Sequence, residues 1–102
     1  ILKHKNMVKK TYFKTKDYCK VKFSIHPESA ETVGVYELNG DWEHAVILKK
    51  NKDGSFSGEV NLPKNSTHEF KYRVNESEWL DEPQADEHKP NEYGGTNNVI
   101  HV

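Results

Sequence analysis

The chain has 102 residues, 33% hydrophobic and 30% charged, with a formal net charge of -1. That length suits one domain around one core, and the charge balance lacks the basic excess that nucleic-acid binding draws on. No apolar run approaches the ~18 residues of a transmembrane helix, and no signal peptide is read at the start.

Met7 followed by VKKTYF reads as a natural start, with Ile1–Asn6 expected to be foreign to the native chain. Residues 1–9 read as an N-terminal extension and 10–102 as a single domain. Lys3, Lys5, Lys9, Lys10, Lys14, Lys16, Lys20 and Lys22 crowd this end. Interleaved with strand formers, they read as solvated faces of edge strands, where lysine discourages edge-to-edge pairing, in preference to a polyanion site. Next, YCKVKFSI alternates, with Val21, Phe23 and Ile25 on one side and Lys20, Lys22 and Ser24 on the other. Cys19 opens that strand as a small buried side chain with no histidine–acid arrangement to activate it. As the lone cysteine it permits no disulfide framework and no cysteine zinc site within the chain, and it fits a reducing, cytoplasmic setting.

PESAET is at most a turn or a short helix. TVGVYELNG reads as a strand ending in an Asn39-Gly40 turn, and AVILKK as a short apolar run. Only Trp42 to Lys50 competes as helix, and it is short. NKDGS places Asp53-Gly54 in a hairpin turn, FSGEVNL and HEFKYRV alternate on either side of a PKNST loop, and NVIHV closes the chain as a strand. About seven short strands, spaced by roughly 8–12 residues with turn chemistry between them, indicate an all-β sandwich or barrel. Residues 80–98 break the rhythm. This long, initially acidic segment, punctuated by Pro83, Pro90 and Gly94-Gly95, reads as a functional loop because it also contains Tyr93.

Most chemistry finds no pattern. Asp81, Glu82, Asp86, Glu87 and Glu92 could supply acid–base groups or bind calcium, but a small sandwich offers no deep cleft and the spacing is not that of an EF-hand. The six histidines, His4, His26, His44, His68, His88 and His101, lack metal-ligand spacing. Gly94-Gly95 comes after an irregular stretch and reads as a tight turn, and no Gly-x-Ser-x-Gly elbow occurs. What remains are aromatics near strand ends, Trp42, Trp79 and Tyr93, with Lys71 on the polar side of its strand. A tryptophan in a sandwich is ordinarily a core residue. These two, however, come after polar turn sequences and precede polar or acidic residues. An indole offers a flat apolar area and one N–H, which suits the C–H face of a pyranose. Lysine and asparagine side chains would serve its hydroxyls.

The order of FKYRVNESEW, the LDEP loop, GGTNN and the last strand resembles the second half of carbohydrate-binding module family 48, over about forty residues. This is the early-set, immunoglobulin-like domain found beside the barrels of glycoside hydrolase family 13 enzymes such as isoamylases. A relative is the glycogen-binding domain of the AMP-activated protein kinase beta subunit. The strand layout extends the resemblance from about Lys10 to Val102. It implies sugar stacking on Trp42 and Trp79, hydroxyl contacts from Lys71 and Asn97, and a bulky residue, Tyr93, pressing on the glucan. The chain departs from the family where ELNGDW replaces the usual Gly-x-Phe-Asn-x-Trp.

The expectation is therefore an immunoglobulin-like β-sandwich of about seven antiparallel strands that binds α-glucans, such as glycogen, starch or maltooligosaccharides. It would act without catalysis, cofactor or metal, since the family's hydrolytic carboxylates lie in a separate barrel of at least ~200 residues. The alternative is a structural or interaction module of the same fold, docking on a glycan-active enzyme or other partner with no sugar contact of its own. Neither nucleic acid nor membrane is expected as a partner.

Overall fold

A computed structural model of the chain describes residues 7–36, 38, 45–92 and 94–102. In chain order the strands are β1 (Met7–Tyr12), β2 (Tyr18–Ile25), β3 (Val33–Tyr36), β4 (Val46–Ile47), β5 (Lys49–Lys50), β6 (Phe56–Pro63), β7 (Thr67–Val74), β8 (Glu78–Leu80), β9 (Glu87–Pro90) and β10 (Thr96–His101). They form two antiparallel sheets. One has the order β1-β2-β6-β5; the other runs β4-β3-β7-β10-β9, with β8 added against the C-terminal half of β7. Among the described residues there is no α-helix, and no helix long and apolar enough to cross a membrane.

The period-two pattern explains how the sheets meet. A pleated strand sends alternate side chains to opposite faces, so Cys19, Val21, Phe23 and Ile25 of β2 point one way and are buried. On β7 the buried set is Phe70, Tyr72 and Val74, and Val33, Val35 and Ile100 join the same cluster. Phe23 from the first sheet meets Phe70 and Tyr72 from the second edge-to-face, with ring centroids 5.1 and 6.3 Å apart. The two inner faces thus share one core, as in a β-sandwich. The turn before β6 forms as its residues demand. Gly54 takes a positive φ of 89°, Asp53 Oδ1 accepts from the Ser55 N–H at 2.9 Å, and Asn51 N–H donates to the Ser55 carbonyl at 2.7 Å.

The structure bears on three expectations. The folded part begins by Met7, because β1 pairs with β2 from Met7↔Ser24 to Tyr12↔Cys19. Within β1, Lys10 faces inward opposite Val21 and ends at Asp86, 2.6 Å away, so that an inward position looks polar in the sequence. PESAET forms a turn at Glu28 and Ser29, the smaller of the two forms expected of it. Residues 80–98 are not one loop: β9 lies inside them, paired with β10 from Thr96↔Pro90 to Val99↔Glu87. The Asn39-Gly40 turn falls outside the described residues, as does the first part of the Trp42–Lys50 stretch, whose later residues are strand.

Candidate functional site

The candidate surface is the outer face of the second sheet, where β3, β7 and β8 lie side by side. It exists because β7 turns back on itself. Asn75 and Glu76 both adopt left-handed conformations, φ 52° and 57°, and Ser77 N–H donates to the Val74 carbonyl at 3.1 Å. Two consecutive positive φ values suit a tight hairpin whose twist matches its strands. Asn75 tolerates that conformation and is further held by the Glu31 N–H on its Oδ1 at 2.7 Å and by its own N–H on the Thr32 carbonyl at 2.9 Å. The turn returns the chain as β8 and sets Trp79 directly opposite Arg73.

Arg73 and Trp79 make a cross-strand pair on the outer face. The Arg73 guanidinium lies over the indole, 5.1 Å from its centroid, and 6.0 Å from the Tyr36 ring. Tyr36 and Trp79 meet edge-to-face at 5.4 Å with 75° between their planes. The indole is thus held from two sides, yet 41% of Trp79 stays exposed. Gly34, the cross-strand neighbour of Arg73 on β3, makes room: a Cβ there would sit 3.0 Å from Tyr36 Cε1 and 3.2 Å from Ala45 Cβ. Opposite Gly34 on β4 is Ile47, 70% exposed, so Ile47, Gly34, Arg73 and Trp79 form one row across four strands.

Beside this row sits Lys71, paired with Tyr36 across β3–β7. Its Nζ donates to the Thr96 carbonyl at 2.8 Å and lies 3.8 Å from Asp81 Oδ1. The ammonium is therefore already coordinated, with its side chain mostly covered. Asn97 is more enclosed, only 7% exposed. Its Oδ1 accepts from Asn91 Nδ2 at 3.0 Å and its Nδ2 donates to Glu69 Oε1 at 3.2 Å. Both ends of the amide expected to meet a sugar hydroxyl are thus occupied by protein, and Asn97 braces the loop before β10. Trp42 and Tyr93, the other two expected contacts, lie outside the described residues. Among the expected residues that are described, the structure brings Lys71 and Trp79 onto one face.

The acidic run does not form a cluster. Asp81 faces Lys71, Asp86 takes Lys10 and the His101 N–H, Glu87 pairs with the His101 ring, and Glu82 is fully buried. Among the described residues no three histidine, cysteine or acidic side chains converge as a metal site would require. Glu82 instead fastens the segment after Trp79. Tyr72 hydroxyl donates to its Oε1 at 2.7 Å, Gln84 N–H to its Oε2 at 2.9 Å, and its own N–H donates to Asn98 Oδ1 at 2.9 Å. Burial, and then the neighbouring Glu82 carboxylate, push the Tyr72 phenol far above its ordinary value, so it remains a donor. A cavity of about 350 Å³ lined by His26, Pro27, Ser29, Lys50 and Gly54 includes none of these residues.

Arg73, Tyr36 and Gly34 did not emerge from the sequence as site residues. Alternation along FKYRV places Arg73 on the same face as Lys71, and that signal was available. Which strand lies opposite, and hence that Tyr36 and Trp79 meet there, depends on register. A scan against protein-family models and a search of curated proteins both return no match for this chain.

Proposed function

We propose that the chain is a non-catalytic α-glucan-binding domain of the immunoglobulin-like, early-set kind, acting in the cytoplasm on glycogen, starch-like chains or maltooligosaccharides. The observation that carries this reading is Trp79: a large indole, 41% exposed and held in one orientation by Arg73 and Tyr36 on an open sheet face. A rigid, flat, half-exposed aromatic is a stacking surface for a pyranose, and Lys71 stands one position away on the same face. The resemblance of the FKYRVNESEW, LDEP and GGTNN segments to carbohydrate-binding module family 48 supports the same ligand and adds Trp42, Tyr93 and Asn97 to the contacts. With Lys71 and Asn97 already bonded to protein, the platform supplies most of the binding energy. Affinity should then be weak, toward millimolar, or roughly -4 kcal/mol. The buried, unpaired Cys19 suits a reducing compartment.

A titration with maltoheptaose or glycogen, monitored by tryptophan fluorescence, tests this. Wild-type protein should give a saturable change that a folded Trp79→Ala variant lacks. No change at millimolar maltoheptaose would sink the reading. A second reading draws on Ile47, whose exposure at the end of the same row gives the face an apolar edge. In that case the domain docks on a glycan-active enzyme or other protein without touching sugar, and an Ile47→Lys substitution would abolish the association.

A further inference from the structure

The outer face of β7 carries two cations in succession, Lys71 and Arg73, and they are compensated very differently. Lys71 has Asp81 and the Thr96 carbonyl. Arg73 forms no ion pair and no hydrogen bond with any described residue; its Nε is buried without a partner, and its contacts are the faces of Trp79 and Tyr36. A guanidinium keeps its charge at any physiological pH, so a partly covered one with no acceptor is left in deficit. Its position over two rings limits the side-chain freedom that remains to be lost when an anion arrives. Planar N–H donors in a fixed fork match a phosphate or carboxylate.

We propose that Arg73 is an anion subsite of the platform, and that the preferred ligand is a glucan carrying a phosphate ester or carboxylate beside the ring stacked on Trp79. This rests on the glucan reading of the same face and narrows its substrate class. Trp79 supplies the apolar surface, Arg73 the charge, and Lys71, held by Asp81, a second cation at the same edge.

The test compares three ligands by tryptophan fluorescence at low and high salt: maltoheptaose, a maltooligosaccharide bearing a phosphate monoester, and one bearing a terminal carboxylate. An anionic chain should bind about tenfold more tightly than the neutral one, the scale of one charge-assisted contact. The ratio should shrink in high salt and fall to about one in Arg73→Gln. Whichever anion gives the larger ratio identifies its source. Equal affinity for all three ligands overturns the subsite and leaves the glucan reading standing. Binding of none overturns both. An anion preference that survives Arg73→Gln assigns the charge to Lys71 and likewise overturns the proposal. Should Arg73→Gln not fold, Arg73→Lys and the salt dependence of the wild type decide it, because lysine keeps the charge but loses the fork.

Discussion

On the inner face of β7, Phe70 and Tyr72 meet each other at 5.6 Å, and both meet Phe23 from the facing sheet; on the outer face of the same strand, Arg73 stands between Tyr36 and Trp79. Both faces use aromatic edges and faces at similar distances. They differ in how their polar atoms are settled. Inside, the one hydroxyl has its acceptor in Glu82, and that carboxylate has a further donor in the Gln84 N–H. Outside, a full charge rests on rings, one of its nitrogens is buried with no partner, and the indole above it stays half open. A satisfied network stabilises the fold, whereas a charged group at a surface with no acceptor of its own can still gain one from a ligand.

The contrast can be broken from either side. The largest effect should come from Phe70→Ala, which removes a fully buried ring at the centre of the inner cluster and should cost about 3–5 kcal/mol. Trp79→Ala, a larger truncation by volume, should cost only about 1 kcal/mol, the scale of a cation–π contact and an exposed edge-to-face pair. Chemical denaturation of the two variants measures both; similar losses would mean that Trp79 is a core residue in all but position. Next is Gly34→Val. Its side chain would strike Tyr36 and Ala45, so it should cost about 1–3 kcal/mol as overpacking. It should also shift the Trp79 emission, which the inner-face substitution should leave tied to global unfolding.

The smallest effect is electrostatic. Burial alone would raise the Asp86 carboxyl, but the Lys10 hydrogen bond, the His101 N–H and the charges of Lys10 and His101 more than offset it and hold it below its ordinary value. A carboxylate depressed in the folded state contributes stability that is complete above its unfolded pKa and is lost as pH falls through the folded one. Burial likewise lowers His68, so its share is complete above the ordinary histidine range and goes earlier as the solution is acidified. Thermal melts across acid pH should therefore decline in two stages, and Asp86→Asn should flatten only the more acidic one.

The alternating strands β2, β6 and β7 were legible because each buries one face, and β10, buried at four consecutive residues, by its apolar Val99-Ile100 pair. β2, β6, β7 and β10 match the expected segments YCKVKFSI, FSGEVNL, HEFKYRV and NVIHV, with boundaries moved by a few residues. β9 was not legible, because all four of its residues are exposed and no hydrophobic period marks them. The sequence places only Met7–Lys9 of β1 in an extension ahead of the domain, since the strand's inward lysine, Lys10, is answered by an aspartate 76 positions away, a pairing no local pattern contains. At the site, Lys71 and Trp79 stood out by residue type. Arg73 and Tyr36 became partners only through the registers Arg73↔Trp79 and Tyr36↔Lys71, which are properties of the assembled sheet. The adjacent Asn97 and Asn98 could not be told apart by composition. The pleat sends Asn98 inward, where its Nδ2 donates to the Phe70 carbonyl at 3.0 Å, and gives Asn97 to the loop brace.

β9 has a consequence for how copies of the protein behave when crowded together. It forms the outer edge of the second sheet, and its last residue, Pro90, has no N–H to offer. A foreign strand approaching that edge would find a template only four residues long, carrying Glu87, His88 and Lys89 and closed by a gap in its donors. Sheet extension from one molecule to the next is discouraged there, so the open aromatic face can remain exposed without the neighbouring edge becoming a seed for fibrils.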